Sequence, residues 1–261
     1  MHKPACYGYE HASAFQEISV AAAYTYRPPY PPHVFTLLAQ LLPEASQRLL
    51  DAGCGTGALA RYLLHLGIPI DAVDISAAMI AHGKHLPYAD HALLHWHVGA
   101  IETVDLTPPY GLITVGESLH WMDWDSVLPR FARMLQPDGK LVVLELAHEP
   151  MPWDDELREL IKQFSTNQAY QAVDLIAELT NRGLFIEEGR TTLDPWVFIQ
   201  TIDAYVESFH GRASFSRERM SATNAAAFDY AVRTAVASRG YQQVALPIVA
   251  TVVWGKPLLR E

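Results

Sequence analysis

The chain has 261 residues, half of them apolar and 18% charged, which is enough for one large α/β domain or two small ones with a sizeable core. A formal net charge of -10, with no run of Lys and Arg, excludes a general binder of nucleic acid or of anionic membranes, since either needs a basic face. Only two cysteines occur, Cys6 and Cys54, which excludes a disulfide framework and fits a reducing compartment.

The first residues, MHKPACYGYEHA, lack the apolar core of a signal peptide. The longest apolar stretches, such as LVVLELA at 141–147, are too short to cross a bilayer. A cytoplasmic protein that does not enter membranes is expected. The proline cluster RPPYPP at 27–32 sets a short amino-terminal segment apart from the rest. Tyr24, Tyr26 and Arg27 stand just before or at that cluster, either as part of a packed helix or as a lid. As a lid, Arg27 would pair a carboxylate of the ligand and a tyrosine face would lie near a cationic centre.

From about residue 46 strands and helices alternate. Arg48–Ala52, Ile68–Ile75, Ala92–Val98, Leu112–Val115 and Lys140–Leu146 read as five short apolar strands. Between them, Ala58–Leu66, the run AAMIAHGKHL after a Ser76 N-cap, and Asp125–Leu135 read as helices. This alternation predicts parallel β-α-β units with both faces of the sheet covered. Beyond Pro150 the alternation fades. Asp154–Phe164, Gln171–Arg182, Thr201–Phe209 and Glu218–Arg239 look helical, Thr191–Ile199 is strand-like or mixed, and Val244–Trp254 ends in a β-branched strand. One domain is expected over 1–261, with a cap or lid at 1–45, a cofactor-binding core at 46–149, and substrate-side helices and last strands at 150–261.

The segment RLLDAGCGTGALARYL carries Gly53, Gly55 and Gly57 at alternate positions around Cys54. A strand that turns sharply into a helix needs backbone torsions glycine adopts cheaply, and a ligand lying on that turn needs side chains out of its way. The acids narrow the ligand. Asp74 ends the second strand, where a carboxylate can accept both ribose hydroxyls. Asp51, before the turn, would repel a pyrophosphate, but would attract an ammonium group or orient the loop amides around one. No Lys or Arg lies in the turn until Arg61, and no G-K-[ST] follows. A phosphate-free, cationic nucleoside is favoured, and S-adenosylmethionine fits.

LDAGCGTGALARYL, then VDIS and AAMI, then GLITVGESLHWMDWDSVLPRFARMLQPDGKLVVLE, resemble the motifs of class I S-adenosylmethionine-dependent methyltransferases. The third stretch and the upstream YTYRPPYPP are similar to the small-molecule branch that includes trans-aconitate methyltransferase-like (methyltransferase type 11) proteins. The resemblance covers roughly residues 24 to 149. It implies a Rossmann-like, doubly wound, seven-stranded sheet, mostly parallel, with an antiparallel last strand inserted by the terminal VATVVW. It further implies that Gly53, Cys54, Gly55 and Gly57 hold the methionine part with Asp51 orienting the turn. Asp74 would hold the ribose, Ile75, Ala100 and Ile101 the adenine, and Gly116 and Glu117 would flank the sulfonium. Where many relatives carry Asp, this chain has Ala100, which leaves the adenine amino group to a backbone carbonyl or another side chain. Gly111 likewise replaces a frequent Asp and reads as structural.

For catalysis, His120 follows the fourth strand at the sheet edge where an acceptor must sit, beside Trp121. Either it is a base or acceptor-orienting group, or it caps the strand while Trp121 packs as core. Glu117 would touch the methionine end or the acceptor, and His148 ends the fifth strand nearby. The twelve histidines otherwise show no ligand set, so no metal is expected. Trp196, Tyr205 and Phe209 would pack as core or wall a substrate pocket. The expected activity is methyl transfer to a small-molecule O, N or C nucleophile or a carboxylate, by a monomer or homodimer that binds no nucleic acid. The alternatives are a cofactor-binding protein without turnover and a sulfonium-assisted cyclisation or rearrangement.

Overall fold

The computed structural model describes residues 4–259. Its centre is a sheet in the order β3-β2-β1-β4-β5-β8-β6, with β7 also paired to β8. β1 (Leu49–Ala52), β2 (Ile70–Asp74), β3 (Leu94–Val98), β4 (Tyr110–Gly116) and β5 (Leu135–His148) run parallel. β8 (Gln243–Pro257) inserts antiparallel beside β5, as the terminal β-branched run predicts.

The sheet has eight strands where seven are expected. β6 (Phe185–Thr192) and β7 (Trp196–Thr201) pair with successive halves of β8 along the same edge. The expected outer strand is thus broken at residues 193–195, and the mixed signal over Thr191–Ile199 marks that break. Seven positions are preserved.

The strands read as apolar runs because both faces are buried. Leu50, Ala52, Ile113, Val115, Leu141 and Val143 pack on one face, against Val127, Leu128 and Phe131. Leu49, Leu112, Val142 and Leu144 pack on the other, against Val34, Leu38, Ala60 and Leu63. The helices that supply these residues are α3 (Pro32–Leu41), α4 (Ala60–Leu63) and α6 (Trp124–Met134). They follow two short amino-terminal helices, α1 (Tyr9–Ala12) and α2 (Ile18–Ala23), and α5 (Ala77–Gly83) lies between α4 and α6. Ser76 caps α5 as expected, its Oγ accepting from the Met79 amide at 3.1 Å.

In the carboxyl half, α7 (Asp154–Phe164) and α9 (Ile202–His210) stand where helices are expected, while α8 (Leu175–Asn181) and α10 (Ala222–Ala237) are shorter than expected. α8 starts at residue 175 because Asp174 caps it, and α10 at residue 222 because Ser221 does. β5 begins earlier than expected, at Leu135: Leu135 pairs with Tyr110, and a register shift absorbs Pro137 and Gly139 before Lys140 meets Leu112. A separate core joins α7, α9 and α10 to the first half of β8, and Tyr205 and Phe209 are buried in it. Gly111 is structural: a Cβ there would collide with Ser46.

Candidate functional site

A cavity of about 320 Å³ opens at the carboxyl ends of β1, β2 and β4. Backbone demand puts it there. Gly53, Gly55 and Gly57 all have left-handed φ, 69°, 54° and 76°, which side chains adopt only at a cost. The Gly53 and Cys54 amides both reach the Val73 carbonyl, at 2.8 and 2.9 Å, folding the turn over the end of β2. A Cβ on Gly53 would stand 2.5 Å from Ser118 Cβ, and one on Gly57 would stand 2.5 Å from the Trp96 ring. At Gly55 the nearest atom is Tyr24 Cε1, 3.8 Å away. Gly53 and Gly55 line the cavity, whereas Gly57 stands outside the lining, packed against Trp96.

Asp74 is tied to this turn. One carboxylate oxygen accepts the Gly55 amide at 2.8 Å and the other the Ser76 amide at 2.7 Å. Burial pushes its carboxyl above the usual range, against the pull of those two bonds. Each oxygen keeps a further lone pair for a hydroxyl. Ile75, Ala100 and Ile101 stand beside it along the same wall. The Ala100 carbonyl already accepts the Thr103 and Val104 amides, at 3.0 and 2.9 Å. Glu102 lines the cavity instead, with Oε1 accepting the Asp123 amide at 3.1 Å.

Opposite the turn, Gly116 and Glu117 line the cavity. Glu117 holds a left-handed φ of 54°, rare for a side chain with a Cβ and fixed here from both sides. Its amide donates to the Leu144 carbonyl at 3.0 Å, and Oε1 accepts the Leu146 amide at 2.8 Å. Its other oxygen faces Arg27 Nη2 at 3.6 Å. Arg27 lies 5.1 Å from the centre of the Tyr24 ring, and Tyr24 lines the cavity. Arg27 thus reaches the site through Glu117 and Tyr24.

Several expected site residues stand behind the wall. Asp51 is 1% exposed, with Oδ1 accepting Thr114 Oγ1 at 2.9 Å and Oδ2 the Ala60 amide at 3.2 Å. Of its two possible roles, orienting the turn is the one this geometry serves. Burial pushes its carboxyl up to about 7, against those two hydrogen bonds. Cys54 is buried in the apolar layer, which drives its thiol well above the ordinary range and keeps it unreactive. His120 packs with Tyr7 and Trp121, ring centres 4.9 and 4.8 Å away, and it is Trp121 that lines the cavity. His148 lies away from the lining, its Nδ1 2.9 Å from the Glu149 carbonyl and 4.0 Å from Asp154.

Sequence reasoning expects a cap or lid over 1–45 but names only Tyr24, Tyr26 and Arg27 in it. Tyr9, Ala12, Ser13, Phe15 and Gln16 cover the cavity, and Ser118, Met122 and Asp123 complete its side. The roof is latched to a loop some two hundred residues away. Arg219 reaches Glu17 at 2.7 Å and Ser13 Oγ at 2.9 Å, and the Ser19 amide donates to Glu218 at 3.1 Å. Nothing local in YEHASAFQ announces this. Only the acid at Glu102, two residues beyond the alanine that replaces the usual Asp, left a sequence signal.

Comparisons with known proteins bear on the family and the fold. A family profile described as "Methyltransferase domain" matches residues 50–141. An uncharacterized methyltransferase of Mycobacterium tuberculosis is 34% identical over 137 residues, covering 52% of this chain and 54% of the relative. A malonyl-[acyl-carrier protein] O-methyltransferase of Enterobacter lignolyticus is 33% identical over 141 residues, covering 53% and 49%. The chain thus spans about half the length of the curated relatives it matches. Among solved structures, a provisionally assigned type II methyltransferase of Anaeromyxobacter dehalogenans superposes with TM-score 0.64 at 22% identity, covering 90% of this chain and 99% of that one. The fold is shared with YcgJ of Bacillus subtilis at TM-score 0.54 and 16% identity, covering 88% and 99%.

Proposed function

We propose, from the match of residues 50–141 to a family described as a methyltransferase domain, that the chain binds S-adenosylmethionine as class I methyltransferases do and transfers its methyl group to a small molecule. One observation carries this reading. The cavity is lined by the carboxylates Asp74, Glu102, Glu117 and Asp123, and by no Lys or Arg among the described residues. Such a wall repels a pyrophosphate and suits an adenosine compound with a sulfonium and an ammonium group.

The residues present fit that group. Asp74, held by two amides with lone pairs left over, would take the ribose hydroxyls. Ile75 and Ile101 would sandwich the adenine, with Glu102 or Asp123 accepting from its amino group in place of the missing Asp at position 100. Gly53 and Gly55 would admit the methionine end against bare backbone. Arg27 would pair its carboxylate and Glu117 would face its cationic centre. When bound, the cofactor supplies a methyl group already activated by the sulfonium, with a neutral thioether as leaving group.

The protein's own contribution is then to position the acceptor and exclude water. Tyr9, Phe15 and Trp121, which line the cavity, would exclude water once the cofactor and acceptor fill it. The Tyr7–His120–Trp121 stack sets that wall, so His120 is a positioning residue. A base is required only for acceptors that must lose a proton. We place the protein in the reducing cytoplasm, in keeping with two buried, unbridged cysteines.

Calorimetry with S-adenosylmethionine, S-adenosylhomocysteine, NAD and ATP tests the cofactor. Heat with the first two alone is expected, and NAD or ATP binding in their place overturns the reading. Transfer of labelled methyl to a metabolite pool then separates a transferase from a non-methylating binder.

A further inference from the structure

A second crevice, of about 440 Å³, lies beside the cavity described above. One side is the loop after β3, from Glu102 to Leu106 with Pro108, and the other is Ser126, Arg130, Arg133 and Met134 of α6. Positions 126, 130 and 133 fall on one flank of a helix, while Val127, Leu128 and Phe131 turn inward to the sheet. The crevice runs from Glu102, just past the carboxyl end of β3, to Pro108, just before β4. Glu102 alone belongs to both linings, so the crevice neighbours the cavity without being part of it.

The loop is fastened to α6 at two points. Glu102 accepts the Asp123 amide at 3.1 Å, and Arg130 Nη2 donates to the Val104 carbonyl. These fastenings leave two guanidinium groups short of acceptors. Arg130 Nε is buried and has no hydrogen-bond partner. Among the described residues the Arg133 side chain meets no acceptor, and neither arginine forms an ion pair with a carboxylate. Other arginines of the chain do: Arg48, Arg217, Arg219 and Arg233 each hold an acid within 3.0 Å. Of the two acids in the crevice, Glu102 is committed to the Asp123 amide and Asp105 is exposed.

We propose that this crevice binds the phosphate group of a small organic phosphate ester, at a site apart from methyl transfer. Two guanidinium groups one helical turn apart can share a tetrahedral phosphate, whose oxygens face several ways. A planar carboxylate is filled by a single guanidinium fork. The Thr103 hydroxyl stands in the same lining, and Val104, Leu106 and Met134 offer apolar surface to the body of the ester. None of this depends on what the first cavity holds.

Titration calorimetry with inorganic phosphate, glycerol phosphate, glycerol and acetate tests the site. Heat is expected with the two phosphates, and none with glycerol or acetate at the same concentrations. Arg133→Gln, a change at an exposed position, should weaken phosphate roughly tenfold or more, the loss expected for a charge-assisted contact. Arg133→Lys should restore part of it. Phosphate should bind the protein saturated with S-adenosylhomocysteine as it binds the free protein; its displacement would put the anion in the first cavity and overturn the proposal. So would a parent silent toward both phosphates, acetate bound as tightly as phosphate, or an Arg133→Gln variant that binds phosphate as the parent does. Absence of heat with S-adenosylhomocysteine itself overturns the methyltransferase reading alone, because phosphate binding to the free protein still decides this proposal.

Discussion

Asp74 and Gly55 are joined by a 2.8 Å hydrogen bond from amide to carboxylate, which locks the end of β2 to the turn after β1. The same carboxylate braces the turn and, in the function proposed here, would also hold the cofactor's ribose. Asp74→Asn keeps one oxygen but can satisfy only one of the two amides, and it removes the charge. S-adenosylhomocysteine affinity should fall roughly 10- to 100-fold, as for loss of a charged hydrogen-bond partner. Isothermal titration of the two proteins checks it.

The three glycines should separate by function. Gly57→Ala forces a Cβ against Trp96 at a φ of 76°, so the cost falls on stability. A loss of about 2–4 kcal/mol is expected from overpacking and the left-handed backbone together. Gly55→Ala has room, with its nearest contact at 3.8 Å, so it bears only the strain of its left-handed φ of 54°, about 1–2 kcal/mol, and places a methyl at the cavity. Melting temperature should report the first variant, and cofactor affinity the second.

Glu117 should discriminate between charged and neutral forms of the cofactor. Glu117→Gln retains an acceptor for the Leu146 amide and removes the negative charge. Binding of S-adenosylmethionine should weaken about tenfold more than that of its neutral thioether product, a difference of about 1.4 kcal/mol. By contrast, His120→Phe, which preserves the ring stack with Tyr7 and Trp121, should leave both affinities and the turnover near those of the parent. A collapse of turnover in a folded His120→Phe protein would restore His120 as a base.

Asp51 gives stability an inverted pH dependence. Burial raises its carboxyl to about 7 in the folded chain, whereas an unfolded Asp sits near ~3.9. The folded state binds the extra proton between those values, so this contribution is complete below about 4 and is lost as pH rises through about 7. In Asp51→Asn the amide oxygen can accept from Ala60 while Thr114 turns its proton to the Leu50 carbonyl, 3.4 Å away. Urea unfolding should find the variant gaining on the parent between pH 5 and roughly 8. A constant difference across that range would contradict the assignment.

Asp71 has the opposite sign. Burial opposes its charge, but hydrogen bonds from Tyr110, His97 and Arg48 outweigh that and hold its carboxyl below the usual range. Its contribution is present above the unfolded value of about 3.9 and is lost as pH falls through the lower folded one. Asp71→Asn should cost about 3–5 kcal/mol at neutral pH, as when one partner of a buried ion pair is removed. The gap between variant and parent should narrow as pH falls below about 4 and close only beneath the lowered folded value, where the parent too is neutral. Thermal melts across that range give the answer.

The turn, its two acids and the alternating strands were legible because each is dictated by near neighbours in the chain. A strand that must reverse sharply into a helix takes left-handed torsions that favour glycine, and a doubly covered strand must be apolar throughout. Ser76 likewise announced α5, since a cap binds three residues ahead. What the sequence by itself determined was therefore the parallel framework and the place and charge of the cofactor turn. Only the tertiary structure decided what closes over it. Tyr9 and Phe15 become a roof, latched where Arg219 reaches Glu17 and Ser13, and Asp51 becomes a brace instead of a wall. These pairings join residues up to two hundred positions apart, and they exist only because packing the carboxyl-half helices onto β8 brings those surfaces together.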